Sequence, residues 1–323
     1  MCGHEYCFSR ILVRSLRPLD GLERVTSSSL PLHHRSGEIC IVWRDHDEAS
    51  EAAQPAWRTV WCAEDPPTVY RRCGSRFSLS FGTDDVFVAD VAAWRTQLTV
   101  TVGSDWETCR HLLLNQVLPR LALQMGALVF HGAGIEINGR AVLFFGATGR
   151  GKSTLANAFR LADHRILSDD AIVAFCNNGM WFAQGTYPCL RMIDEAARNG
   201  ARSGPGSWKT TIVLAEGSTQ AAALPFAAAF ELQPEDPDER VIAVKRMQSG
   251  EGCMRLLSSV FMLDPTDHRR TGGLMRDCAS LATDMPCYTL GYPRALAMLE
   301  AVRETVAFEL DNAEVRAPIA GCC

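Results

Sequence analysis

The chain has 323 residues, of which 47% are hydrophobic and 21% are charged, a composition typical of a folded globular protein rather than a disordered one. Its 32 basic and 37 acidic residues give a net charge of −5, which argues against a protein that binds nucleic acid by neutralising phosphates. The longest apolar run, residues 221–230, is too short to span a bilayer, and the N-terminus has no apolar stretch of the secretory type. We therefore expect a cytoplasmic protein with no membrane partner.

Residues 1–103 are predicted to form a β-rich N-terminal domain. Short apolar or alternating segments, which are typical of strands, are separated by clusters of Gly, Pro, Ser and Asp, which are typical of turns. This part of the chain contains no catalytic motif that we recognise. The predicted strands cover residues 10–16, 39–43, 59–62, 77–81, 86–88 and 98–102.

A helix is predicted over residues 106–125, and we place the domain boundary just before it, so that the second domain covers 104–323. Ser104 and Asp105 offer an N-cap for this helix. Pro119 is expected to kink the helix or to begin a second segment, because proline has no N–H to donate to the preceding turn.

The second domain is predicted to belong to the α/β class with a mixed sheet. A strand over 127–137 turns at Asn138-Gly139, the dipeptide preferred by a two-residue hairpin, and returns over 141–145. Helix 152–161 follows, and strands 165–167 and 171–175 come next. The further predicted strands are 180–183, 211–215, 226–232 and 241–244, and the further predicted helices are 193–199, 250–263, 267–283 and 294–308.

A glycine-rich motif between the second of these strands and its helix predicts a phosphate-binding loop. Glycines allow the positive φ angles that turn successive N–H groups inward, and the helix that follows adds the positive end of its dipole. The motif G-x-x-x-x-G-K-[ST] is matched at every position, by Gly146, Ala147, Thr148, Gly149, Arg150, Gly151, Lys152, Ser153 and Thr154.

The motif predicts ATP and Mg²⁺ as cofactors. In such loops the lysine, here Lys152, reaches the β- and γ-phosphates, and the hydroxyl of Ser153 coordinates Mg²⁺. Only three of the 32 basic residues are lysines, Lys152, Lys209 and Lys245, so a chance match to the motif is rare. The alternative is a glycine-rich turn that binds nothing.

The stretch from residue 129 to residue 173 resembles the HPr kinase/phosphorylase family, whose core shares its fold with phosphoenolpyruvate carboxykinase. The features that carry the resemblance occur in the family's order: a His-Gly strand, a hairpin, the phosphate-binding loop, a helix and an Asp-Asp pair. In this sequence they are Phe130-His131-Gly132, the strand 134–137, Asn138-Gly139, the loop 146–154 and Leu167-Ser168-Asp169-Asp170. The resemblance implies a phosphoenolpyruvate-carboxykinase-like P-loop kinase core.

The resemblance also implies roles for three residues. Asp169 resembles the aspartate that takes the proton from the acceptor hydroxyl, and His131 resembles the neighbour that tunes and orients it. Asp170 resembles a second acid near Mg²⁺ and the phosphates. Each has a plainer alternative, since Asp169 could be an ordinary metal-holding aspartate, Asp170 a solvated turn residue and His131 a core histidine.

The sequence is closer to the divergent relatives of this family, notably the tailoring kinases of lasso-peptide clusters. Thr154 stands where HPr kinases have a glutamate, and the segments 185–191 and 288–294 resemble the tailoring kinases weakly. The implied partner is a peptide or protein that carries the acceptor serine. Arg191 is a weaker candidate for a phosphate or carboxylate clamp, and Lys209 follows a loop that could act as a lid.

The predicted function is therefore transfer of the γ-phosphoryl group of Mg·ATP to a serine hydroxyl, with a lasso-peptide precursor as one such acceptor. Two alternatives remain open at this point: a kinase for a free small molecule such as serine, and a regulatory partner that binds ATP without transferring phosphate. The sequence leaves open whether the chain forms a homo-oligomer.

Overall fold

The structure of the chain is a computed structural model, in which the chain forms two compact units. Unit 1 consists mainly of Met1–Val129 and includes Phe261–Gly273, and unit 2 consists mainly of Phe130–Met192, Thr211–Val260 and Leu274–Cys323. The described residues are 3–25, 37–45, 56–64, 67–92, 94–187, 189–193, 209–213, 222–234 and 241–314.

Unit 1 contains a nine-stranded mixed sheet with the order β3-β1-β2-β4-β9-β8-β7-β6-β5. The pairs β2–β4 and β4–β9 are parallel, and the others are antiparallel. Its strands are β1 (His4–Phe8), β2 (Ile11–Ser15), β3 (Glu23–Arg24), β4 (Gly37–Asp45), β5 (Arg58–Glu64), β6 (Pro67–Cys73), β7 (Arg76–Ser80), β8 (Val86–Val91) and β9 (Arg95–Val102).

The helix predicted over 106–125 is present in three consecutive pieces. Helix α1 (Trp106–Leu112) is capped by Asp105, whose side chain accepts a hydrogen bond from the Thr108 N–H at 3.0 Å. A π-helical turn (Leu113–Val117) leads into α2 (Leu118–Gln124), which has Pro119 in its first turn. The missing proline N–H accounts for the break in the regular α-helix in the residues just before Pro119. These helices belong to unit 1, although we predicted them in the second domain; the boundary before residue 104 stays a prediction.

Unit 2 contains an eight-stranded mixed sheet, so the α/β class with a mixed sheet is confirmed. The strand order is β11-β10-β13-β14-β17-β19-β18, with β12 paired to β10. Strand β11 also pairs with β17, so five of these strands form a closed path. The strands are β10 (Leu128–Ile137), β11 (Arg140–Phe145), β12 (Ile166–Ser168), β13 (Ala171–Asn177), β14 (Met180–Gly185), β17 (Leu224–Leu232), β18 (Ala243–Arg246) and β19 (Cys287–Gly291).

A separate pair of strands, β15 (Cys189–Ile193) and β16 (Lys209–Val213), forms a two-stranded sheet. The helix predicted over 193–199 lies almost entirely outside the described residues. The remaining helices are α3 (Lys152–Leu161), α4 (Ser249–Ser258), α5 (His268–Asp284) and α6 (Leu299–Glu314), the last preceded by a 3₁₀ turn at Leu296–Met298. No helix in the described part of the chain is long and apolar enough to cross a membrane.

The core of unit 2 lies between the sheet and helices α3 and α6. Phe144 of β11 stacks on Phe230 of β17 with ring centroids 5.7 Å apart, and Phe230 stacks on Tyr288 of β19 at 4.8 Å. Phe159 of α3 packs against Phe144 at 5.6 Å. This packing of aromatic rings holds β11 and α3 in place, and with them both ends of the loop that joins them.

Candidate functional site

Three parallel strands of unit 2 end side by side at one edge of the sheet. In the pairing register, Phe145 of β11 lies beside Glu231 of β17, and Glu231 lies beside Thr289 of β19. Ligands of α/β proteins commonly bind outside the carboxyl ends of parallel strands. The segments that follow these three strands therefore define the candidate site.

The segment after β11, residues 146–151, is called the glycine loop here, and its glycines adopt backbone angles that other residues avoid. Gly146, Gly149 and Gly151 have φ angles of +129°, +84° and +85°. A Cβ on Gly146 would also lie 3.0 Å from the carbonyl oxygen of Leu232. The motif glycines are thus required by the path of the backbone.

Lys152 begins helix α3 directly after the glycine loop and is buried. Its ammonium donates hydrogen bonds to the backbone oxygens of Gly146, at 2.8 Å, and Ala147, at 3.1 Å. Ala147, Thr148 and Gly149 are exposed, so a ligand can reach the loop from solvent. The loop thus offers a lysine cation, the N-terminal end of α3 and an open approach, an arrangement suited to binding phosphate.

Ser153 and Thr154 lie in the first turn of α3 and are half-buried. The first N–H groups of a helix have no partner within the helix, so this turn presents donors at its N-terminal end. The motif residues predicted to bind nucleotide therefore lie together at the start of α3.

The acidic pair lies at the same edge, in the turn between β12 and β13. Gly132 of β10 pairs with Phe145 of β11 on one side, and on its other side its N–H donates to the backbone oxygen of Asp170 at 3.2 Å. Gly132 therefore lies between the start of the glycine loop and this part of the acidic turn. The two are two strand spacings apart, each of about 5 Å. Asp169, only 2% exposed, is the buried member of the pair, and Asp170 is half-buried.

The turn that carries the acidic pair is fixed by the chain at residues 185–187. The Ser168 hydroxyl donates to the backbone oxygen of Tyr187 at 3.0 Å, and the Thr186 hydroxyl donates to that of Ala171 at 3.0 Å. Gly185 packs so closely that a Cβ there would lie 1.8 Å from the backbone oxygen of Leu167. These contacts on both sides hold the carboxylates in place before any ligand arrives.

His131 lies beside the acidic pair, and its ring contacts Asp170 through the backbone. The ring nitrogen Nδ1 lies 3.1 Å from the Asp170 carbonyl oxygen, which can only accept, so Nδ1 carries the proton in this contact. The backbone N–H of His131 donates to the backbone oxygen of Ser259 at 2.6 Å. In the neutral ring Nε2 is then the acceptor nitrogen, so His131 can position the acidic turn and accept a proton.

Three further residues at this edge were not assigned a role from the sequence. Glu231 ends in register with Phe145, Tyr292 follows β19, and Arg294 lies two residues further on. Burial raises the pKa of Tyr292, and Arg294 beside it opposes this rise. Tyr292 and Arg294 lie in the segment 288–294, which resembles the tailoring kinases only weakly, and the three positions reach the site through the parallel pairing of β11, β17 and β19.

The donor set fits a Mg²⁺–nucleotide complex. In the described residues no group of three or more His, Cys, Asp or Glu side chains could hold a metal ion alone. Magnesium in phosphoryl-transfer sites is commonly held by one or two carboxylates together with substrate phosphates. The Ser153 hydroxyl and the Asp170 carboxylate would hold the metal, with the phosphates completing its coordination.

Two weaker candidates cannot be placed in the site. Arg191 lies in β15 and Lys209 begins β16, but their side chains are outside the described part of the structure. The predicted lid before Lys209, residues 204–208, also lies outside it.

Comparisons with known proteins find similarity among solved structures. No protein-family model and no curated protein matches the chain. Among solved structures, the HPr(Ser) kinase/phosphatase from Coxiella burnetii is similar over 58% of this chain and 98% of its own, with 12% sequence identity and a TM-score of 0.34. This is a distant structural similarity.

Proposed function

We propose that the chain is a Mg·ATP-dependent phosphotransferase that phosphorylates a serine hydroxyl of a peptide or protein. The observation that carries this proposal is the placement of the glycine loop, Lys152 and the Asp169-Asp170 turn at one edge of the sheet. Phosphoryl transfer needs this combination of a phosphate cradle, a cation and a base near the acceptor. A precursor peptide of the lasso type is one acceptor of the proposed class.

The chain's own residues would supply positioning and electrostatic stabilisation. When bound, Mg·ATP supplies the phosphoryl group, and the metal neutralises charge on the phosphate oxygens. Lys152 and the N–H groups of the glycine loop hold the phosphates and stabilise the charge that develops during transfer. Asp169 would accept the proton of the acceptor hydroxyl. The hydroxyl oxygen would bond to the γ-phosphorus while the bond from that phosphorus to the ADP oxygen breaks.

His131 and Asp170 would support this reaction without receiving the phosphoryl group. His131 holds the backbone of the acidic turn through its contact with Asp170, at 3.1 Å, and so positions Asp169. Asp169 and Asp170 are adjacent in the turn after β12 and differ in burial, so that one carboxylate would face the acceptor and the other the metal.

Transfer from γ-labelled ATP to components of a host extract, separated by size, tests the proposal. Label in a small peptide or a folded protein supports it, whereas label in a free metabolite favours a small-molecule kinase. Asp169→Asn is the matched control, because it removes the base and leaves the glycine loop intact. We expect it to lose transfer, by at least about a hundredfold, and to keep ATP binding. Equal labelling by the wild type and Asp169→Asn would contradict the role of Asp169, and ATP binding without any transfer would favour a regulatory switch.

A further inference from the structure

Arg294 lies just after β19, which is the last of the three parallel strands in the sequence, and its side chain reaches the glycine loop. It follows Tyr292 and Pro293 after the end of β19. A Cβ on Gly151 would lie 3.7 Å from Arg294 Nη1 and 3.5 Å from the Tyr292 hydroxyl oxygen. The guanidinium is thus in contact range of the last loop residue before Lys152.

One arm of the Arg294 guanidinium is held firmly by unit 2. Nη2 donates a hydrogen bond of 2.6 Å to the backbone oxygen of Gln233, directly after β17. The guanidinium carbon also lies 4.0 Å from the centre of the Tyr292 ring, a close cation–π contact. These two contacts restrict the orientation of the side chain, so little freedom remains to be lost when it binds a ligand.

The other arm is buried, and its polar neighbour is the hydroxyl of Tyr292. Among the described residues, Arg294 Nη1 makes no hydrogen bond of normal geometry to a carbonyl or carboxylate oxygen. A buried donor of a charged group is unfavourable when its hydrogen bonding is incomplete. A phosphate oxygen would give Nη1 the anionic acceptor that a neutral hydroxyl is not.

The local charge indicates what that acceptor is. Arg294 places a second cation near Lys152 at the N-terminal end of α3, where the helix dipole is also positive. Such an arrangement becomes favourable when an anion lies between the charges. Arginine suits phosphate oxygens because its planar fork can keep one arm on the protein and offer the other.

From these contacts we infer that Arg294 is a phosphate-binding residue, whose Nη1 donates to the diphosphate portion of the bound nucleotide beside Gly151. This inference rests on the proposed nucleotide site and adds a second cation to it. Loop N–H groups of this motif cradle the α- and β-phosphates, so a donor beside Gly151 contacts those rather than the γ-phosphate. The ligand class is a nucleoside diphosphate or triphosphate, and inorganic pyrophosphate is its smallest analogue.

Equilibrium binding of ADP, ATP and pyrophosphate to the full chain tests the inference. We expect Arg294→Gln to stay folded and to weaken the binding of all three by about tenfold. Arg276→Gln is the matched control, because Arg276 is exposed on α5. A purely structural role for Arg294 would lower the thermal midpoint of the free protein and leave pyrophosphate affinity unchanged, which would overturn the inference.

Two further comparisons keep the test decisive. If Arg294→Gln does not fold, Arg294→Lys keeps a cation near Tyr292, and its pyrophosphate affinity decides: weaker binding supports the inference and unchanged binding overturns it. Lys152→Ala separates the two proposals. If Lys152→Ala loses ADP binding and Arg294→Gln binds ADP normally, the role of Arg294 is rejected and the nucleotide site is kept. If the wild type binds no nucleotide, the proposed function is rejected as well.

Discussion

At the scale of single residues, the site depends on glycines whose role is set by the backbone rather than by chemistry. Gly146 has a φ angle of +129°, and a Cβ at this position would lie 3.0 Å from the backbone oxygen of Leu232. Gly132 and Gly185 are constrained by neighbours as well, since a Cβ at either would lie within 2.6 Å of a backbone oxygen. The sequence motif identified Gly146, but the other two have meaning only once β10 and β14 are placed.

We predict that Gly146→Ala lowers the free energy of unfolding by about 2 kcal/mol and weakens nucleotide binding, because alanine is strained at this φ and crowds β17. Gly250→Ala is the matched control, since Gly250 lies in α4 with no atom within 4 Å of its Cβ position. Denaturant unfolding followed by circular dichroism measures both variants. Equal stability of the two variants would contradict the conformation assigned to Gly146.

At the scale of elements, the sequence predicted local structure well where the signal was local. The hairpin at Asn138-Gly139 is confirmed, with φ angles of +51° and +73°, and so are the bounds of helix α3. Strands β6 and β19 were missed. Strand β6 begins at Pro67, in a stretch that we interpreted as a turn, and β19 is only five residues long. Their strand structure is defined by the partners on which they pair, which the local sequence does not specify.

Within unit 1, an ion-pair network joins strand β6 to the start of helix α5. Arg72 Nη1 donates to Asp264 Oδ2 at 2.8 Å and to Asp267 Oδ2 at 3.0 Å. Burial would raise the pKa of Asp264, but hydrogen bonds from Thr266 and Arg72 outweigh it, and the net pKa lies below the ordinary 3.8. The pKa of Asp267 is lowered by the N–H of Arg270 and by Arg72.

We predict that Arg72→Gln lowers the free energy of unfolding by about 2 kcal/mol at neutral pH, because it leaves the buried Asp264 carboxylate with only the more distant and exposed Arg58, at 3.7 Å, as a cation. Carboxylates with lowered pKa values stabilise the fold above pH 4, and that contribution disappears as the pH falls through their folded-state pKa values. The wild type should therefore lose stability more steeply below pH 4 than Arg72→Gln does. Denaturant unfolding at several pH values measures this, with Arg71→Gln, an exposed change on the same strand, as the control. Parallel pH profiles for wild type and Arg72→Gln would contradict the network.

At the scale of the whole molecule, the sequence predicted the class of the fold and proposed residues for the site, but not how distant segments meet. Strand β11 pairs with β17, about eighty residues later, and β17 pairs with β19. Periodicity identifies a strand but carries no information about its partner. The sequence therefore assigned no role to Glu231 or Arg294, whereas Lys152 and Asp169 are candidates because each lies in a contiguous motif.

The division of the chain into units also depends on distant contacts. The helices over 106–124 follow a β-rich segment and precede the glycine loop, so a boundary before them was reasonable from composition alone. Their buried residues include Leu113, Val117 and Leu121, and their contacts place them in unit 1. The change of hydrophobic period along the chain marks a new element, and the domain boundary before residue 104 stays a prediction.

Binding of Mg·ATP to the purified chain, measured by titration calorimetry, tests the central claim most directly, because every proposed role depends on phosphate held at the glycine loop. We predict one nucleotide per chain, with affinity weakened at least about tenfold by Lys152→Ala and unchanged by Lys245→Ala, which alters an exposed lysine of β18. A wild type that binds no nucleotide, or a Lys152→Ala variant that binds it as tightly as the wild type, would contradict the account.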